Sequence, residues 1–146
     1  MSFTATLDNL VSTLTNDAAL QAFATAAWGK PITVHAGYKQ RMEIGAEELP
    51  VIRITRPQVE PDTKSANRIA LHKVRLYCGF YQPDLELAVS ETIQYEELIR
   101  AALVVDRRRG QTAQATVPGD SANDEGTYHP SYFLVMDVDI QTYDHA

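Results

Sequence analysis

A chain of 146 residues with 45% apolar and 22% charged side chains can bury one respectable core and has an ordinary globular composition. Its formal charge of −6 argues against a dedicated nucleic-acid binder, which carries a basic patch large enough to show in the total. The single cysteine, Cys78, excludes an internal disulfide and a thiolate metal cage, and no run approaches ~20 consecutive apolar residues, which excludes a membrane-spanning helix.

The chain opens with Phe3, Leu7, Leu10, Val11 and Leu14 at helical spacing, and Asp8 within that pattern, with no basic leader, argues against a targeting signal. Folding in a reducing cytoplasm is therefore expected. Thr15, Asn16 and Asp17 interrupt the pattern and can cap a second run through Leu20, Phe23 and Ala27, giving one kinked helix or two. Trp28-Gly29-Lys30-Pro31 ends the helical region, with glycine in the usual C-terminal position. Ile32 to Ala36 reads as a short strand, and Gly37 to Leu49 as a polar loop holding Glu47 and Glu48. Val51 to Thr55 is the next strand, after which Pro57 and Pro61 hold residues 56–67 out of regular structure.

Arg68 to Tyr81 is a long strand in which Val74, Leu76, Cys78 and Phe80 share one face. Ile69 and Leu71 fall on the opposite parity, which predicts a bulge or an early bend between Leu71 and Val74. Pro83 breaks the strand, and Asp84 caps a helix reaching Val104, with Glu86 in its first turn. Leu85, Val89, Ile93, Ile99 and Leu103 make its expected apolar stripe, interrupted by Glu96. Asp106 to Thr127 reads as a long polar loop, with room for a short hairpin around Ala113 to Val117. The final strand alternates Tyr132, Leu134, Met136, Val138 and Ile140 with polar partners.

One-sided strands and amphipathic helices predict an α+β two-layer sandwich. Residues 1–146 form a single domain in this reading: a mainly antiparallel sheet of four to five strands, with two main helices on one face. The open face then shows Arg53, Lys73, Arg75, Tyr77, Asp137, Asp139 and Gln141.

Chemistry is hard to find. Asp137 and Asp139 project from one strand face, but the further oxygen ligands a hard cation needs are missing. His35, His72, His129 and His145 lack zinc spacing, and neither a GxSxG elbow nor a glycine-rich phosphate loop occurs. Glu91, Glu96 and Glu97 suit a solvated helix face or a subunit contact. Glu96, within the stripe, must reach solvent, Arg100 or a neighbouring chain. Arg107, Arg108 and Arg109 read either as a solvated helix exit or as a contact to phosphate or an acidic neighbour. No catalytic, cofactor or metal residue is assigned, and no enzyme is expected.

Leu49-Pro50-Val51-Ile52-Arg53-Ile54, the strand Val74 to Tyr81, the helix Leu85 to Arg100 with Arg107, and Tyr128-His129-Pro130-Ser131-Tyr132-Phe133-Leu134-Val135 together resemble the tail-terminator, or tail-completion, proteins of long-tailed bacteriophages. The resemblance implies a minor structural protein of the virion, assembled in the bacterial host cytoplasm with no membrane partner. Copies would close into a ring, typically a hexamer, that caps the tail tube, stops its polymerisation and joins it to the head-neck connector. DNA would pass through the lumen without sequence-specific binding, which suits an acidic chain. The loops 37–49 and 106–127 would supply adaptable contacts, placing Glu47, Glu48, Asp120 and Asp124 at partner surfaces. Arg107 to Arg109, and Glu96 in its last reading, would sit at subunit interfaces. Two alternatives stand beside this: another neck or head-completion connector, and a monomeric adaptor binding a ligand or peptide.

Overall fold

In the computed structural model, which describes residues 3–61 and 69–143, α1 (Phe3–Asn16) buries Thr6, Leu10 and Leu14. Asp17 separates it from α2 (Ala18–Trp28) by leaving helical geometry and accepting the Leu20 amide at 2.9 Å. The N-terminal region is thus two helices. Gly29 ends α2 at φ +75°, donating its amide to the Thr25 carbonyl at 2.9 Å, a left-handed conformation that glycine adopts without Cβ strain.

A five-stranded sheet follows, in the order β1 (Thr33–Ala36), β2 (Val51–Glu60), β3 (Ile69–Tyr81), β5 (Ser131–Tyr143), β4 (Ala115–Asn123). Only the short β1–β2 pairing is parallel. Between β3 and β4 runs α3 (Leu85–Val105). All three helices contribute to one core with the alternate residues Ile52, Ile54, Val74, Leu76, Cys78 and Phe80 and the expected row Leu134, Met136, Val138 and Ile140. Cys78 is fully buried, and burial pushes its thiol far up. The fold is the α+β sandwich anticipated, and the described residues hold three helices because the N-terminal run is two helices, one of the two alternatives its sequence allowed.

Strand boundaries depart from expectation in three places. Pro57 does not end β2. The β2–β3 register shifts between Thr55 and Gln58, beyond the last β1 pairing at Ile54, where a missing amide has no second neighbour to fail. That bulge lies in β2, and the one predicted in β3 is absent: β3 pairs with β5 without a shift from Ile69 to Tyr81. Ala70 and His72 continue the buried parity there. His72 stacks on Phe3 at 4.1 Å between ring centres, and its Nε2 lies 2.8 Å from the Thr142 hydroxyl.

The third departure is the largest. Residues 106–127 are not a structureless loop. They contain β4, which pairs with β5 across a hairpin and buries Thr116. Pro118 is tolerated because β4 is an edge strand with its own register shift between Pro118 and Ser121. Arg68, His145 and the end of the 56–67 segment lie outside the described residues.

On the opposite face, Leu49, Val51 and Phe133 make a small second cluster with Ile44. Gly79 permits it, since a Cβ there would come within 2.8 Å of the Phe133 ring and 2.9 Å of Leu49. Residues 37–49, which hold two single 3-10 turns, therefore lie against the sheet. On the rest of that face, residues expected there form cross-strand pairs, Arg75–Asp137 at 2.8 Å and Lys73–Asp139 at 3.6 Å. These are exposed ion pairs, each contributing about 1 kcal/mol or less.

Candidate interaction surface

Helix α3 starts where Asp84 accepts the amides of Glu86 and Leu87 at 3.0 and 3.3 Å. It turns Ala88, Glu91, Tyr95, Ile99, Ala102 and Leu103 inward. This buried stripe is rotated about a quarter turn from the one predicted, at ~100° per residue. Ile99 and Leu103 belong to it. Leu85, Val89 and Ile93 do not, and are 62%, 65% and 52% exposed.

The true stripe is built on polar tips with fixed partners. The Tyr95 hydroxyl donates to the Val51 carbonyl at 3.2 Å, and burial pushes its pKa well up. Glu91, read from sequence as a solvated or interfacial carboxylate, is buried. It accepts from the Trp28 indole at 2.8 Å and from the Gln82 amide at 2.9 and 3.1 Å. Trp28, Phe80 and Tyr132 stack in series above this network, with ring centres 4.7 and 5.4 Å apart.

The displaced row Leu85, Val89 and Ile93 forms one wall of an open groove of about 490 Å³. Tyr132 and the turn Asn123–Glu125 form the other side. Asp124 builds that turn: its Oδ1 accepts the Gly126 amide at 3.1 Å, and its own amide donates to the Phe133 carbonyl at 3.1 Å. The charged residues lining the groove are Asp124 and Glu125, both acidic. Half-way along α3 the groove closes. Glu96 accepts from the Ser121 hydroxyl and lies 3.6 Å from Arg100, whose guanidinium donates to the Gly119 carbonyl at 2.8 Å. The β4 bulge is held to the helix by that clamp, and of the three readings of Glu96 the Arg100 partner is realised.

The remaining predicted contact residues do not gather in one place. Glu47 is exposed, and its backbone carbonyl accepts from Lys30 at 3.2 Å. Glu48 pairs with Lys39 at 2.7 Å and accepts the Gly45 amide at 2.9 Å, which hold its carboxyl below the usual range, the lysine hydrogen bond first. Both glutamates sit in the 37–49 segment. Asp120 is exposed in the β4 bulge. Arg107 and Arg108 are exposed just beyond α3, beside Val105 at 81% exposure.

Arg109 breaks from that run. It is 0% exposed, at φ +48°, and its guanidinium donates to the carbonyls of Leu103 (2.7 Å) and Asp106. It closes the C-terminal end of α3 from inside, so its guanidinium does not reach the surface of this molecule. Burial lowers its basicity, and Asp106 partly opposes that.

Sequence reasoning missed the exposed row and the buried Glu91. The available signals were Ala88 and Ala102, small residues suited to close packing, and the lone Trp28, whose indole N–H needs a partner once packed.

No protein-family model matches the chain, and no curated protein matches it in sequence. Its fold does have solved counterparts. One is a chain in the virion of a native gene transfer agent particle, matched with a TM-score of 0.59 over 92% of both chains at 12% sequence identity. At that identity the likeness is one of fold. Among the described residues no helix is long and apolar enough to cross a membrane, and no group of three or more His, Cys, Asp or Glu is placed to hold a metal ion.

Proposed function

We propose that this chain is a structural subunit of a phage-like virion, and specifically a tail terminator whose copies close into a ring, typically a hexamer, on the last turn of the tail tube. The observation that carries the reading is the fold shared over 92% of both chains with a protein of a gene transfer agent virion. The exposed groove beside α3 supports it, because an apolar wall open to water costs a lone molecule solubility and suits an assembling one. Buried polar groups support it too. Glu91, the one buried carboxylate among the described residues, is occupied by Trp28 and Gln82, and His72 by Thr142 and Phe3, so both act as structural groups.

In this role the ring stops tube growth, passes DNA through a lumen that an acidic chain does not make adhesive, and offers its other side to the neck connector. Light scattering coupled to size-exclusion chromatography, on the chain alone and with polymerising tube protein, tests it. The expected result is a closed oligomer of the 16.2 kDa subunit and tubes of arrested length. A strict monomer in both conditions, with tubes growing unchecked, overturns it. A ring that binds head-side connector protein but not tubes moves the assignment to another neck protein. A monomer that binds peptide in the same groove fits the adaptor reading.

A further inference from the structure

The two ends of α3 carry complementary surfaces, and we infer that the acidic apolar groove at its N-terminal end receives Val105, Arg107 and Arg108 of a second copy of this chain. The inference rests on the ring reading and names the contact that would build it.

The groove needs an apolar anchor with positive flanks. Its wall is Leu85, Val89 and Ile93, its lining charges are Asp124 and Glu125, and Glu86 is exposed beside Leu85. The anchor must be found where cations are unspent. Among the described residues, Lys39, Lys73, Arg75 and Arg100 pair with carboxylates, and Lys30 and Arg53 donate to backbone carbonyls. Arg41 lies over the Phe133 ring, Arg56 over the Phe3 ring, and Arg109 is buried on carbonyls. Among the described residues, the guanidinium groups of Arg107 and Arg108 make no hydrogen bond, ion pair or ring contact, although, after the Gly110 amide, the charge of Arg108 helps hold the nearby Asp106 carboxyl below its usual range. They flank Val105, the most exposed large apolar residue of the described chain.

These two surfaces cannot meet within one molecule. Twenty residues of helix separate Leu85 from Val105, about 30 Å at ~1.5 Å per residue. Different patches meeting between copies make a head-to-tail contact, and such contacts propagate into a closed ring when the rotation closes. Burying Val105 against Val89 and Ile93 would supply the apolar centre, and two arginines facing the exposed Glu86 and Glu125, with the inward-turned Asp124 adding negative charge behind them, would set direction and register.

Two variants break the contact from opposite sides: Val105→Asp/Arg107→Glu/Arg108→Glu removes the projection, and Val89→Asp/Ile93→Asp removes the groove wall. Circular dichroism and thermal melting first establish that each is folded. Each alone should be monomeric where the unaltered chain forms rings, its dissociation constant raised about 30-fold or more. Mixed together, they should give a dimer and nothing larger, since one intact projection meets one intact groove. Separately, Val89→Cys/Val105→Cys in one chain should give a ladder of oxidised multimers, the native Cys78 being buried.

Rings formed by both variants overturn the inference and leave the ring reading standing. A groove variant that still forms rings but no longer binds tubes assigns the groove to the tube protein, and also overturns it. A native chain that never assembles, with tube protein or without, removes the ring reading itself.

Discussion

Two halves of α3 meet opposite fates. From Tyr95 to Leu103 the large apolar residues of the inner side are covered: Ile99, Ala102 and Leu103 are buried, Glu96 and Arg100 hold the β4 bulge, and Arg109 closes the end. From Leu85 to Ile93 the inner side is equally well packed, yet the neighbouring row of large apolar residues faces a groove. Ile93 and Ile99 are the same residue six positions apart, one 52% and the other 0% exposed. Periodicity counts apolar side chains without saying whose surface covers them. Ile99→Ala should therefore cost about 2–5 kcal/mol, the ordinary range for a buried Ile or Leu truncation. Ile93→Ala should change monomer stability by roughly 0.5 kcal/mol or less, as for most surface changes. Chemical denaturation of the two variants side by side measures both. Equal losses would mean that the groove is closed in solution.

The enclosed half also depends on polar groups. Glu91→Ala leaves the Trp28 indole and the Gln82 amide without their acceptor, at about 1–3 kcal/mol for buried donors so stranded. Glu91→Gln keeps an acceptor and should lose distinctly less, and tryptophan emission reports the site directly because Trp28 is the only tryptophan. If Ala and Gln cost the same, the carboxylate's charge rather than its acceptor role matters. A smaller effect follows at the boundary between the halves. Arg100→Ala frees the Gly119 carbonyl and should cost about 1 kcal/mol, with amide exchange rising in the β4 bulge before it rises in β5. Uniform exchange along β4 and β5 would show that the clamp holds nothing locally.

How much of this was legible follows from which signals are local. Asp17, Gly29 and Asp84 do what their residue types and neighbours dictate, because a cap is decided within four residues. The β5 row was readable because both β3 and β4 pair with that strand and one face is buried along its whole length. β4 was not, since its Thr, Gly, Pro, Asp and Ser residues fit a loop equally well, and its strand character comes from pairing with β5 and from the Glu96 and Arg100 clamp. Arg109 was unreadable for a related reason. Three adjacent arginines look alike until the backbone turns through φ +48° and sends one of them under the end of α3. At the groove, the residues themselves were named in advance, but as core, because a helix wall awaiting a partner and one packed on its own sheet have the same composition.

The segment 37–49 gives the smallest and most specific test, on the face of the sheet away from the helices. Lys39 and the Gly45 amide both bind the Glu48 carboxylate, and its pKa lies below the usual value. A depressed carboxylate stabilises the folded segment fully above its unfolded pKa of about 4.3, and that contribution is lost as pH falls through the lower folded value. Closure of the segment over Phe133 should therefore be constant at neutral pH and weaken only under acid, with a low midpoint at Glu48 seen by carboxyl chemical shift. Glu48→Gln should abolish that acid step while leaving α3 and its groove unchanged. A Glu48 midpoint at the ordinary glutamate value would mean that Lys39 and Gly45 do not hold the carboxylate in solution. The segment would then rest on its other contacts: Leu49 and Ile44 in the space left by Gly79, Tyr38 on Tyr77, Arg41 over Phe133, and the hydrogen bonds from Arg53 and Lys30.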